Sequence, residues 1–127
     1  MANVTATPET RKTSTDLSAS SNCYLFVENT GTTAETVNVT NAAGEPAYGI
    51  LEYGKANLSA SVWPLSRGGT AKVKLGATLS ANVEVCAGAD GRAIATASGY
   101  RVTGRLLAGG VANDIVEIDI YQGRIVP

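Results

Sequence analysis

Residues 70–120 form a series of short apolar segments, each ended by a glycine or a glycine-containing turn: TAKVKLGATLSANVEVCAGADGRAIATASGYRVTGRLLAGGVANDIVEIDI. Within the segments apolar and polar residues alternate. Ala71, Val73 and Leu75 fall on one face with Lys72 and Lys74 on the other, and Val83 and Val85 alternate with Asn82 and Glu84. Successive side chains of a strand point to opposite faces, so this period of two is the pattern of half-buried β-strands. No window carries apolar residues at three- and four-residue spacing over the length that a stable helix needs. The region has to fold as strands joined by turns.

The same reading extends upstream. Residues 23–27 (CYLFV) form a strand candidate, Asn29-Thr30-Gly31 a turn, and residues 35–40 (ETVNVT) an alternating strand with Val37 and Val39 inward. Residues 41–46 (NAAGEP) turn the chain into a short apolar strand at 47–51 (AYGIL). With 71–75, 81–86, 92–97, 100–107 and 115–120 this makes about eight strands. Gly104 interrupts the strand at 100–107, where a bulge or a barrel corner is the usual reason for a glycine. Ala89-Asp90-Gly91 is a turn that exploits the freedom of glycine at positive φ. The expected class is all-β, a small β-barrel or sandwich of about eight short strands, closed or nearly closed because open apolar edges aggregate.

Two stretches depart from the pattern. Residues 1–21 hold only Val4 and Leu17 as sizeable aliphatic anchors among Ser, Thr and Ala, too few to offset the entropy of ordering. The expected organisation is therefore a flexible N-terminal arm at 1–21, one β domain at 22–122 and a short tail at 123–127. Residues 52–69 (EYGKANLSASVWPLSRGG) read as irregular. There Tyr53, Trp63 and Leu65 either close one end of the barrel or form a presented hydrophobic contact.

Composition narrows the chemistry. The 127 residues suit one domain, and aromatics at 6% beside many Ala, Thr, Val and Gly imply a core of small side chains rather than a large ligand cavity. The chain has no histidine, which removes the commonest general base and the commonest zinc ligand together. Glu117 and Asp119 share a strand face, a spacing that a metal or glycosidase pair can use, but it is also the solvent side of any alternating strand. No phosphate loop, calcium loop or nucleophile elbow is present. Cys23 and Cys86 can bridge only if two strands bring their Cβ atoms face to face; otherwise they serve as small buried hydrophobes. The reading is a non-enzyme without catalytic residues, cofactor or metal.

The formal charge is −1 and no basic cluster exceeds Arg11-Lys12, so a phosphate-tracking surface for nucleic acid is not expected. No apolar run is long enough to span a membrane, and the first residues lack the apolar core of a secretory signal, so synthesis in the cytoplasm is expected.

One resemblance adds to these readings. The order Lys72-Val73, Gly76, Val83 and Val85, Ala89-Asp90-Gly91-Arg92-Ala93, Gly99, Gly104-Arg105-Leu106-Leu107 and Val116-Glu117-Ile118 resembles the capsid decoration, or cement, proteins of tailed bacteriophages, of the DUF2190 head decoration type. The likeness covers roughly residues 47–120. It implies a small β-barrel bound to the outer surface of an assembled head, with the major capsid protein as partner, often as a homotrimer, stabilising the shell and carrying no enzymatic residues. Candidate contacts to capsid or to a neighbouring subunit are Val4 and Leu17 in the arm, with Tyr53, Trp63 and Leu65 in the irregular stretch. An extended arm orders when it docks across a seam, so deleting residues 2–17 is expected to leave the barrel folded and to weaken head binding. The alternative is a virion-surface adhesion or fibre-associated module that offers Tyr53 and Trp63 to a glycan or receptor.

Overall fold

The computed structural model describes residues 5–30 and 36–127. Val4 and Glu35 lie outside the described residues. Ten strands are present among them: β1 (Glu9–Thr13), β2 (Phe26–Asn29), β3 (Thr36–Val39), β4 (Gly49–Lys55), β5 (Ser59–Pro64), β6 (Thr70–Lys74), β7 (Glu84–Ala87), β8 (Ala93–Ala95), β9 (Val102–Leu106) and β10 (Ile115–Ile120). The helical content is two single 3₁₀ turns, Ser20–Asn22 and Leu65–Arg67. The protein is all-β, as its alternating pattern predicts.

The first five strands close into a barrel in the order β1-β3-β2-β4-β5, and the last five form a sheet in the order β6-β10-β9-β7-β8. All ladders are antiparallel except β1 with β3. The second sheet curls until Leu75, past the end of β6, bridges Ala93 of β8, with the Gly76 N–H donating to the Ala93 carbonyl at 2.8 Å. This bridge shields part of two edges that would otherwise be open.

Period two explains how the halves join. Along β2, β4 and β5 one residue points into the barrel and the next points out: Val27, Leu51 and Val62 fill the barrel interior with Val37, Ala60 and Leu17. Their neighbours Phe26, Ile50 and Trp63 face the other way and pack with Val73, Leu75, Val85, Leu106, Ile118 and Ile120 of the second sheet. Each of these strands is thus buried on both faces, which is why CYLFV and AYGIL read as continuous apolar runs.

Gly104 sits at an irregularity, as the sequence predicts. Val85 pairs with Gly104 and Cys86 with Val102, which leaves Thr103 as the extra residue of a bulge on β9. Its buried hydroxyl donates to the Val85 carbonyl at 3.2 Å. A Cβ at position 104 would lie 2.6 Å from the Asp119 carbonyl oxygen on β10.

Three expectations change. Residues 9–13 are not part of a free arm: β1 pairs with β5 from Glu9↔Val62 to Lys12↔Ser59 and with β3 at Lys12↔Thr36, closing the barrel. The strand's ladder hydrogen bonds and the burial of Ala6, Thr13 and Leu17 supply what self-burial of an isolated arm cannot. Within 52–69 only 56–58 and 65–69 lie outside strands, because β4 continues to Lys55 and turns through Leu58 into β5, which runs to Pro64. A register shift between Leu51 and Tyr53 breaks the alternation there and hides the strand from a period-two reading.

The strand expected at 23–27 starts only at Phe26, because Tyr24 takes a left-handed backbone with φ 68°. Finally, the short tail at 123–127 is tied to the domain by backbone hydrogen bonds. The Val102 N–H donates to Arg124, the Gly99 N–H to Val126 and the Val126 N–H to Tyr100, at 2.8–2.9 Å.

Candidate functional site

Of the five residues singled out as contacts, Val4 lies outside the described residues. Leu17 is buried in the barrel interior, and Leu65 and Trp63 belong to the core shared with the second sheet. Only Tyr53 is exposed, on β4 near the hairpin tip, with the Lys55 ammonium 5.9 Å from its ring centre and exposed Leu58 on the turn. The structure therefore does not bring the four described residues together on one surface.

Instead, Trp63 forms part of a small pocket at the seam between barrel and sheet. Its walls come from Thr5, Tyr24, Glu52 of β4, Trp63 of β5, Thr70, Ala71 and Lys72 of β6, and Glu117 of β10. The pocket encloses about 250 Å³. The Tyr24 and Trp63 rings are stacked, 15° from parallel with centres 6.2 Å apart. Tyr24 reaches this position through its left-handed backbone, held by its N–H to the Leu51 carbonyl at 2.7 Å and by the Lys74 N–H to its own carbonyl at 2.9 Å. A bulky residue in that region costs about 1–2 kcal/mol, so the surrounding bonds over-determine it.

On the polar wall, Glu52 accepts a hydrogen bond from the Ser61 hydroxyl at 2.6 Å. Glu117 stands directly across the ladder from Lys72, and Asp119 across from Thr70. The two carboxylates at 117 and 119 thus belong to different pairs along β10 and do not act as a unit.

A second groove, of about 520 Å³, lies beside β2 and is lined by Glu28, Asn29, Glu45, Pro46, Tyr48 and Gln122. Glu45 accepts from the backbone N–H groups of Asn41 and Ala42 at 2.8 and 3.2 Å. With the Glu28 hydrogen bond, these hold its carboxyl below the usual range despite burial. Burial, a hydrogen bond given to Glu45 and repulsion from it push the Glu28 carboxyl up to about 7.

Near the barrel end, Glu9 gathers Arg67 at 2.9 Å, Arg11 at 3.5 Å and the Tyr48 hydroxyl, while the Arg11 guanidinium lies 4.6 Å from the Tyr48 ring centre. These β1 side chains are polar and partly buried, and so leave no hydrophobic trace in the sequence. On the second sheet, Glu84 binds Arg124 at 2.8 Å and the Tyr121 hydroxyl at 3.1 Å, and those bonds hold its carboxyl below the usual range.

Both cysteines are free, Cys86 buried and Cys23 half-buried. Burial first, and then the Glu84 charge, push the Cys86 thiol up to about 11. Among the described residues no three of His, Cys, Asp and Glu are grouped as a metal site requires, and no helix is long and apolar enough to cross a membrane.

The sequence reading missed Tyr24 and Glu52 as wall residues. No local signal marks them, since the first sits inside an apolar run and the second inside a stretch of mixed polarity.

No family model matches the chain, and no curated protein matches it. The DUF2190-type likeness therefore rests on the order of motifs alone. Among solved structures the chain is similar to the crystal structure of head fiber gp8.5 N base in bacteriophage phi29. The TM-score is 0.68 at 14% sequence identity, over 95% of this chain and 98% of that one. At that identity the likeness shows a shared fold.

Proposed function

We propose that this chain is a non-enzymatic structural protein of a tailed-phage head, bound to the outer surface of the assembled shell and stabilising its lattice. The observation that carries the reading is the end-to-end likeness to the head fiber N base, which spans nearly the whole of both chains rather than one shared motif. The order of glycine turns and valine strands over residues 47–120, with its likeness to decoration proteins, supports it independently.

The partner in this reading is the major capsid protein, engaged by a homotrimer. Repeated lattice seams let several modest contacts sum to a stable attachment. Tyr53 and Leu58, exposed at the β4–β5 hairpin, are the contact candidates, because Leu17 and Leu65 are buried and Trp63 lies in the seam with little of its surface exposed. A second reading, favoured by the same structural likeness, is that the module is the base of a head fibre rather than a cement protein.

Co-sedimentation with purified heads tests the proposal. Binding to expanded heads with little binding to compact precursor heads is expected, together with reduced occupancy for Tyr53→Ser. A stabilised shell, read as a raised temperature of genome release, separates cementing from fibre attachment. Failure to bind either form of head overturns the proposal.

A further inference from the structure

The pocket at Trp63 has a composition that a structural seam does not require. Its wall holds two carboxylates, Glu52 and Glu117, an ammonium, Lys72, and a threonine hydroxyl, Thr70, beside the stacked Tyr24–Trp63 pair. The Lys72 ammonium, the Glu117 carboxylate, the Tyr24 hydroxyl and the Trp63 indole N–H make no hydrogen bond or ion pair with any described residue. Trp63 itself is 9% exposed and lines the pocket. Tyr24 is held by strain-bearing geometry in the position that stacks its ring on Trp63.

Charge selects the ligand class. An anion would meet Glu52 and Glu117, and a cation would meet Lys72, so a charged ligand is opposed by one part of the wall. A neutral polyhydroxylated ring is not. Each of its hydroxyls both donates and accepts, which suits carboxylate acceptors and ammonium, phenol and indole donors placed together, while its C–H face is apolar enough to lie against an aromatic ring. The volume, about 250 Å³, falls below the roughly 300 Å³ at which drug-sized sites begin and suits a single ring.

We infer that the Tyr24–Trp63 pocket binds one neutral hexose or N-acetylhexosamine unit of a glycan. Trp63 and Tyr24 supply the aromatic wall, Glu117 and Glu52 accept from ring hydroxyls, and Lys72 donates. The inference stands whether or not the protein attaches to a phage head.

The chain contains a single tryptophan, so its fluorescence reports on this pocket directly. The full chain is titrated with D-glucose, D-galactose, L-rhamnose and N-acetyl-D-glucosamine, with L-arginine and inorganic phosphate as charged comparators. A saturable change in Trp63 emission with at least one sugar, in the millimolar range, is expected. Lys72 and Glu117 are exposed strand positions, so Glu117→Gln and Lys72→Met should keep the wild-type circular dichroism and melting temperature. Each should weaken that sugar by about tenfold or more. The inference is overturned by no saturable response to any sugar up to ~100 mM, by unchanged affinity in both folded variants, or by tighter binding of arginine or phosphate than of every sugar.

Discussion

Glu28, on β2, and Glu45, in the turn that leads into β4, line the same groove, where burial first and then the neighbouring Glu45 raise the Glu28 carboxyl. Glu28 therefore keeps its proton to higher pH in the folded chain than in the unfolded one, and the sign of the effect on stability follows. The carboxyl of Glu28 is raised from 4.5 to about 7, so its contribution is complete below 4.5 and is lost as pH rises through about 7. That of Glu45 is lowered, so its contribution is present above its ordinary value and is lost in acid. Stability should fall between about pH 5 and about pH 8 by about 1–3 kcal/mol after allowance for solvent screening. Glu28→Gln, which is close in shape but cannot titrate, should flatten that fall in urea titrations run at both values. An unchanged slope in the variant would show that the proton resides elsewhere.

Gly91 has φ 83°, and a Cβ there would lie 2.7 Å from a methyl carbon of Val39 and 2.9 Å from the Leu25 Cβ. Its carbonyl also accepts from the Phe26 N–H at 2.7 Å, tying the turn before β8 to β2. Gly91→Ala combines backbone strain with overpacking and should destabilise by about 2–4 kcal/mol in chemical denaturation. Gly99, also at positive φ but with nothing within 4 Å of a Cβ, provides the contrast, and its alanine variant should lose only about 1 kcal/mol.

The last residues act as a partial strand against the start of β9. Ending the chain after Gln122 removes the Val102-to-Arg124, Gly123-to-Val102, Gly99-to-Val126 and Val126-to-Tyr100 hydrogen bonds, and the Arg124–Glu84 ion pair with them. At about 0.5–1.5 kcal/mol for each of the four hydrogen bonds, the truncation should lower stability by about 2–6 kcal/mol. Hydrogen exchange should quicken first at the Gly99 and Val102 amides.

Thiol chemistry should distinguish the two cysteines. The Cys86 thiol is buried with its pKa raised to about 11, so almost no thiolate is available near neutral pH. In the native protein Cys86 should resist alkylation, half-buried Cys23 should react first, and both should titrate in denaturant. A mass consistent with a disulfide would contradict the free thiols found here.

Removing residues 2–17 deletes β1 together with Leu17, and so opens the barrel. Loss of cooperative thermal unfolding is expected, contrary to the outcome anticipated for a dispensable arm. Leu17→Ala, which leaves β1 in place, should cost about 2–4 kcal/mol, the usual penalty for a cavity in a packed interior.

The all-β class and most of the second sheet are legible in the amino-acid order, because a half-buried strand writes its burial into every second residue. Val73, Val85, Ile118 and Ile120 are core residues by that rule, and the turn at Gly91 is readable from its glycine. The polar strand β1 and the hairpin of β4 and β5 are not. The β1 strand turns Glu9 and Arg11 inward, where they meet Tyr48 and Arg67, partners distant in sequence. A register shift between Leu51 and Tyr53 erases the alternation of β4. The pocket is assembled from six separate parts of the chain, so only packing brings Thr5, Tyr24, Glu52, Trp63, Lys72 and Glu117 to one place. Periodicity is a local property and survives in the sequence. Barrel closure, the Glu28–Glu45 groove and the seam pocket are relations between distant residues, and they exist only once the chain is folded.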